Sequence, residues 1–136
     1  MEILHKIRDI NIDQLRDYFE SNKSIINTED STGATPLTAG IASNRYDVVK
    51  TLLELGADPN YTSTKATLPL IFAIDVAIDI DDYGDEESNE MPINIIKLLL
   101  EYGASLETVD IQEEENAREY VKGRHPIAEQ IFNSIT

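Results

Sequence analysis

The chain has 136 residues, enough for one domain with its own core, and 41 % of them are hydrophobic, which excludes wholesale disorder. It has no cysteine, so disulfides, zinc–thiolate sites and cysteine nucleophiles are excluded together. The net charge of −15 is lopsided: residues 1–68 hold ten acids and seven bases, residues 69–136 sixteen acids and four bases. Bound phosphates need basic side chains, so nucleic acid and anionic membrane surfaces are excluded as partners. The N-terminus mixes charges among its apolar residues, without a signal-peptide core, and no apolar run is long enough to span a bilayer. A soluble, cytoplasmic chain is expected.

Taken in chain order, Ile3, Leu4 and Ile7 give a short apolar face. Residues Asn11 to Ser21 then predict a helix with Ile12, Leu15, Tyr18 and Phe19 turned inward. His5 has no nucleophile or acidic partner at local spacing and reads as a surface residue.

From Asp30 to Asn60 the signals are dense. Thr35-Pro36 is a helix start, with a hydroxyl to cap the free amides and a proline suited to the first turn. Val48, Val49, Leu52 and Leu53 make the apolar stripe of a second helix, which Gly56 stops with a left-handed cap. Asp58-Pro59-Asn60 is a turn that cannot continue a helix.

The pattern then recurs. Leu68-Pro69-Leu70 repeats Thr35-Pro36-Leu37 at a spacing of 33. A helix carrying Ile95, Ile96, Leu99 and Leu100 ends at Gly103-Ala104, which follows Gly56-Ala57 at a spacing of 47, so this copy carries an insertion of fourteen between its helices. Leu70, Ala73, Ile74, Ala77 and Ile78 keep helical spacing and extend its first helix to about Ile80. Residues 81–90, DDYGDEESNE, are too polar to pack, and Met91-Pro92 restarts a helix running to Tyr102. Beyond Asp110 the acids Glu113 to Glu115 sit near a helix N-terminus, where the dipole favours them. Ala117, Tyr120 and Val121 predict a helix stopping at Gly123. Pro126 opens the last helix, with Ile127, Ile131 and Phe132 expected inside, and His125 expected in a structural role.

A period of 33 that opens on Thr35-Pro36-Leu37 and closes on Gly56-Ala57-Asp58-Pro59-Asn60 resembles the ankyrin repeat. The resemblance implies an all-α ankyrin-repeat solenoid, made of helix-turn-helix units joined by hairpin-like loops. Its units would be an N-terminal cap at 1–29, a repeat at 30–62, a repeat at 63–109 with an acidic insertion around 76–90, and a C-terminal cap at 110–136. Arg16 and Glu20 replace the apolar Val49 and Leu53 positions in the first unit, as a face against solvent requires. Asn44 stands for the usual inter-helix glycine and tolerates the left-handed conformation. Thr38 stands for the usual histidine and can still hydrogen-bond backbone. Ala66, Leu68 and Ile71 depart further, which puts the third hairpin turn and its capping bonds in question.

The resemblance also implies a binding surface of hairpin fingers and first-helix faces. The fingers supply Ser31, Thr32 and Ala34, with Ser43 on the open side of the first helix, then Tyr61, Thr64, Lys65 and Thr67. Asp75 and Asp79, with Asp81, Asp82, Tyr83, Asp85, Glu86 and Glu87 of the insertion, would form a negative wall. The expected ligand is a basic protein or peptide, steered by long-range attraction to a chain that is monomeric by itself. Small acidic stand-alone ankyrin proteins resemble inhibitors or immunity proteins that neutralise a cationic bacterial toxin.

Other chemistry is sparse. From Asp79 the spacing echoes a calcium-binding EF-hand loop: Asp79, Asp81, Glu87 and Glu90 fall at positions one, three, nine and twelve, with Gly84 at six. Tyr83 and Glu86 break that pattern at positions five and eight, so a calcium-responsive adaptor stands as an alternative, beside an oligomeric scaffold. No phosphate loop, HExxH or GxSxG occurs, no cofactor is implied, and an enzyme is not expected.

Overall fold

The computed structural model describes residues 3–83 and 90–135, and for 81–83 the backbone alone. Its helices are α1 (Ile3–Lys6), α2 (Ile12–Ser21), α3 (Pro36–Ala42), α4 (Tyr46–Glu54), α5 (Pro69–Tyr83), α6 (Glu90–Glu101), α7 (Ala117–Tyr120) and α8 (Pro126–Asn133), with a 3-10 turn at Lys23–Ile25. Among the described residues there is no strand. The odd-numbered helices contact one another in sequence order and form an inner row. The even-numbered helices do the same and form an outer row. Between the rows runs one apolar seam through Phe19, Leu52, Ile74, Leu99 and Phe132, as the apolar stripes predict.

Local chemistry explains the helix ends. Asn11 caps α2, accepting the Gln14 amide at 2.8 Å. At α3, Thr35 Oγ1 accepts the Thr38 amide while Thr38 Oγ1 accepts the Thr35 amide, at 3.2 and 2.9 Å. Asn44 adopts φ +54° in the turn that follows. Gly56 at φ +104° ends α4, and the Ala57 amide donates back to the Leu52 carbonyl at 2.9 Å. Gly103 and Ala104 repeat this after α6.

The third unit lacks a side-chain oxygen at both Leu68 and Ile71, where Thr35 and Thr38 close their box. Its cap is supplied from outside. The Leu68 amide donates to Asp110 Oδ1 at 2.7 Å, and Asp110 is buried. The third hairpin turn also departs from the second, because Ala66 avoids the positive φ that Gly33 adopts at +90°. Ser63 Oγ organises that turn by accepting the Lys65 amide at 3.0 Å.

Neighbouring units are tied by side chains at repeat-equivalent positions. Asn27 receives the Asp58 amide at 2.7 Å and donates to the Gly56 carbonyl at 3.1 Å. Asn60, one full period on, does the same to Ser105 and Gly103 at 2.7 and 2.9 Å. Arg45 points its guanidinium at the carbonyls of Ile7, Arg8 and Ile10, and so fastens the α1–α2 turn to the start of α4. That guanidinium also holds the Asp47 carboxyl below its ordinary range.

Two expectations need correction and a third needs extending. Ile127 is 54 % exposed, and Ala128 and Phe132 fill the core instead. Ala128 lies one full period beyond Ile95, as Phe132 does beyond Leu99, whereas placing Ile127 inside assumes a period one residue too short. Arg16 keeps the solvent exposure expected of a cap, but it also reaches across to α4 and pairs with Glu54 at 2.8 Å. Both partners are substantially exposed, so the pair aligns α2 with α4 more than it stabilises them. Finally, α5 runs on to Tyr83, past the expected end at Ile80.

Candidate functional site

Among the described residues, the inner row and its hairpin loops enclose a shallow groove of about 240 Å³. Its floor is Ala39 and Ala42 of α3 and Phe72 of α5, and its rim is Thr32, Ala34, Ala66 and Thr67 from two successive fingers. Phe72 is the repeat equivalent of Ala39, off the buried stripe of Ile71 and Ile74, and so keeps part of its ring on the surface. The fingers that carry the rim are locked together. The Asp30 carboxylate accepts the Thr32 and Ala34 amides and the Thr32 hydroxyl, and the Thr32 bonds hold its pKa low. Ser63 donates to Glu29, and the Gln112 side chain donates to the Thr64 carbonyl at 2.7 Å.

The expected binding residues divide on this frame. Thr32, Ala34 and Thr67 meet in the groove. Ser31, Thr64 and Lys65 are exposed at finger tips, outside its lining. Ser43 is half-buried and spends its hydroxyl on the Ala39 carbonyl at 2.9 Å. Tyr61 is half-buried and away from the groove. Asp79 and Glu90 are exposed. Residues Asp85, Glu86 and Glu87 lie outside the described residues, as do the side chains of Asp81, Asp82 and Tyr83, and with them most of the EF-hand spacing.

Asp75 is not an open carboxylate. It is half-buried on α5 and accepts the hydroxyl of Tyr120 on α7. Burial pushes its pKa up, with the Tyr120 bond opposing and Asp79 adding. Burial and the bond to Asp75 in turn hold the Tyr120 hydroxyl well above the ordinary tyrosine range. Phe72 and Tyr120 are functional candidates that sequence reasoning passes over. The signal for Phe72 is an aromatic one period beyond a small inner-face residue; for Tyr120, read as core, none is local.

The raised pKa fixes a sign. A carboxyl whose folded pKa exceeds its unfolded value favours folding below the unfolded pKa and loses that contribution as pH rises through the folded pKa. Asp75→Asn is therefore expected to melt about 1–3 °C above wild type at neutral pH and level with it below about pH 4. Melting curves across pH check this; a variant less stable than wild type at neutral pH overturns it.

Stacked helix pairs, left-handed glycines at helix ends and paired fingers are the features of one repeat family, and that family's model, the ankyrin repeat, matches residues 32–64. The chain is similar to the ankyrin repeat protein FPV018 of fowlpox virus (strain NVSL), 31 % identical over 123 residues that cover 78 % of this chain and 18 % of the viral one. The chain is an ankyrin-repeat protein. It is also similar to the mouse ankyrin repeat and MYND domain-containing protein 1, 41 % identical over 75 residues, covering 55 % of this chain and 8 % of that one. The chain thus spans under a fifth of either relative. Ankyrin repeats are protein-interaction modules, generally without catalysis. No helix among the described residues is long and apolar enough to cross a membrane.

Proposed function

We propose that this ankyrin stack binds a basic segment of a protein partner along its inner row. Two observations support the reading: the charge of residues 69–136, sixteen acids against four bases, and, among the described residues, a groove that Phe72 helps to line. Small finger residues let a chain approach closely, and Phe72 offers an apolar anchor of the kind that dominates interface energy. The net negative charge steers a cationic partner and selects against anionic ones. An inhibitor or immunity role against a cationic bacterial toxin is a narrower form of the same proposal, and neither relative's name speaks to it.

Salt is the discriminating variable, because charge steering is screened over about 10 Å at 0.1 M ionic strength. Titrating the chain with a deca-lysine peptide by calorimetry is expected to show affinity falling about tenfold or more between about 50 and 300 mM salt. An affinity indifferent to salt, or none at the lower salt, overturns the proposal.

A further inference from the structure

At the C-terminal end of the inner row, a cation is already seated on an aromatic ring. The Arg124 guanidinium carbon lies 4.2 Å from the centroid of the Tyr120 ring. Tyr120 is only 5 % exposed, whereas Arg124 itself is exposed. The hydroxyl edge of the ring is fixed by Asp75, and Asp79 stands one helical turn further along α5 with its side chain exposed. Such a ring face can take a guanidinium or ammonium group: the ring attracts the cation, while Asp75 at the hydroxyl edge and the exposed Asp79 one turn along α5 supply negative charge.

The bond pattern of Arg124 differs from that of the nearest comparable arginine. Arg118 is committed to Glu107 at 2.8 Å and to the carbonyls of Phe132 and Ile135. Among the described residues the Arg124 side chain has the ring contact and no ion pair. It follows Gly123, whose φ of +72° turns the chain out of α7. A guanidinium held on an exposed turn by a stacking contact and by attraction to Asp75 can leave without disturbing the core.

We propose that the Tyr120 ring and the carboxylates of Asp75 and Asp79 form a recognition subsite for an arginine or lysine side chain of the partner. Arg124 fills this subsite in the free protein and is displaced on binding. The proposal deepens the basic-partner reading and rests on it. It gives the acidic half a defined point of contact rather than a diffuse field, and it makes Arg124 a competitor in cis that lowers apparent affinity.

The test compares Arg124→Ala with Lys97→Ala, which removes one positive charge from an exposed position on the outer helix α6. Against deca-arginine at fixed low salt, Arg124→Ala is expected to bind about two- to fivefold tighter than Lys97→Ala, the range of one exposed cation–π contact. In nuclear magnetic resonance spectra of the wild type, the Arg124 side-chain protons are expected upfield from the ring current, moving to ordinary positions as peptide saturates. If the peptide binds wild type but Arg124→Ala is no tighter than Lys97→Ala, or the Arg124 signals stay upfield at saturation, the subsite is overturned while the basic-partner reading stands. If neither wild type nor variant binds the peptide, both fall. Melting curves confirm that each variant is folded.

Discussion

Leu52→Ala is expected to remove about 2–5 kcal/mol of stability and to lower the melting temperature by about 10 °C. Leu52 is 0 % exposed at the centre of the seam. Gly40 of α3 is packed so closely there that an added methyl would lie 3.6 Å from Leu52 Cδ1 and 3.1 Å from Val48 Cγ1. A helix pair pressed this close cannot collapse onto a missing isobutyl group, so the cavity remains. The matched control is Ile127→Ala, expected within about 0.5 kcal/mol of wild type because Ile127 stands in solvent. Urea unfolding followed by circular dichroism measures both. Equal losses at the two positions would contradict the two-row packing and the register of α8.

Gly33→Ala is expected to cost about 2–4 kcal/mol, from two sources that add. Gly33 sits at φ +90°, where an L side chain is strained. A Cβ there would also meet Ser63 Oγ at 2.8 Å, the Ala66 Cβ at 2.9 Å and the Lys65 Cβ at 3.0 Å. Those atoms belong to the next finger, so relief means pushing the two fingers apart and opening the groove rim formed by Thr32 and Thr67. The damage should be local as well as global. Amide exchange at Asp30 and Ala34, whose hydrogen bond of 2.9 Å closes the turn, should speed up more than exchange in α4. The reciprocal change, Ala66→Gly, relieves no strain, since Ala66 avoids positive φ, and is expected to be neutral or mildly destabilising. Stabilisation by Ala66→Gly, or unchanged exchange in Gly33→Ala, would refute this account.

What was legible in the sequence is what is decided within a few residues. Thr35 with Thr38, the left-handed Gly56 and Gly103, and the tolerant Asn44 announce their conformations because cap and turn chemistry is local. The stripe of Val48, Val49, Leu52 and Leu53 gives the buried face for the same reason. Contacts set by stacking register were not legible. Asp110 meets Leu68, and Tyr120 meets Asp75, across an inserted stretch whose effect on neighbouring loops no local pattern encodes. Arg16 was half legible: a polar residue at an apolar repeat position signals the outer face that it keeps, but not the ion pair with Glu54 on the neighbouring outer helix. The α8 register fails by a single residue, which on a helix turns the buried face by roughly 100°.

The amide that opens α5 finds its acceptor on Asp110, a residue of the following unit, whereas α3 closes its own box. Stacked repeats are held by their own stability and by the interface with each neighbour. Here the buried bond from the Leu68 amide to Asp110 is lost as well whenever the last pair of helices comes away. That bond adds to the coupling of the two C-terminal units, so fraying from that end also loosens the start of α5.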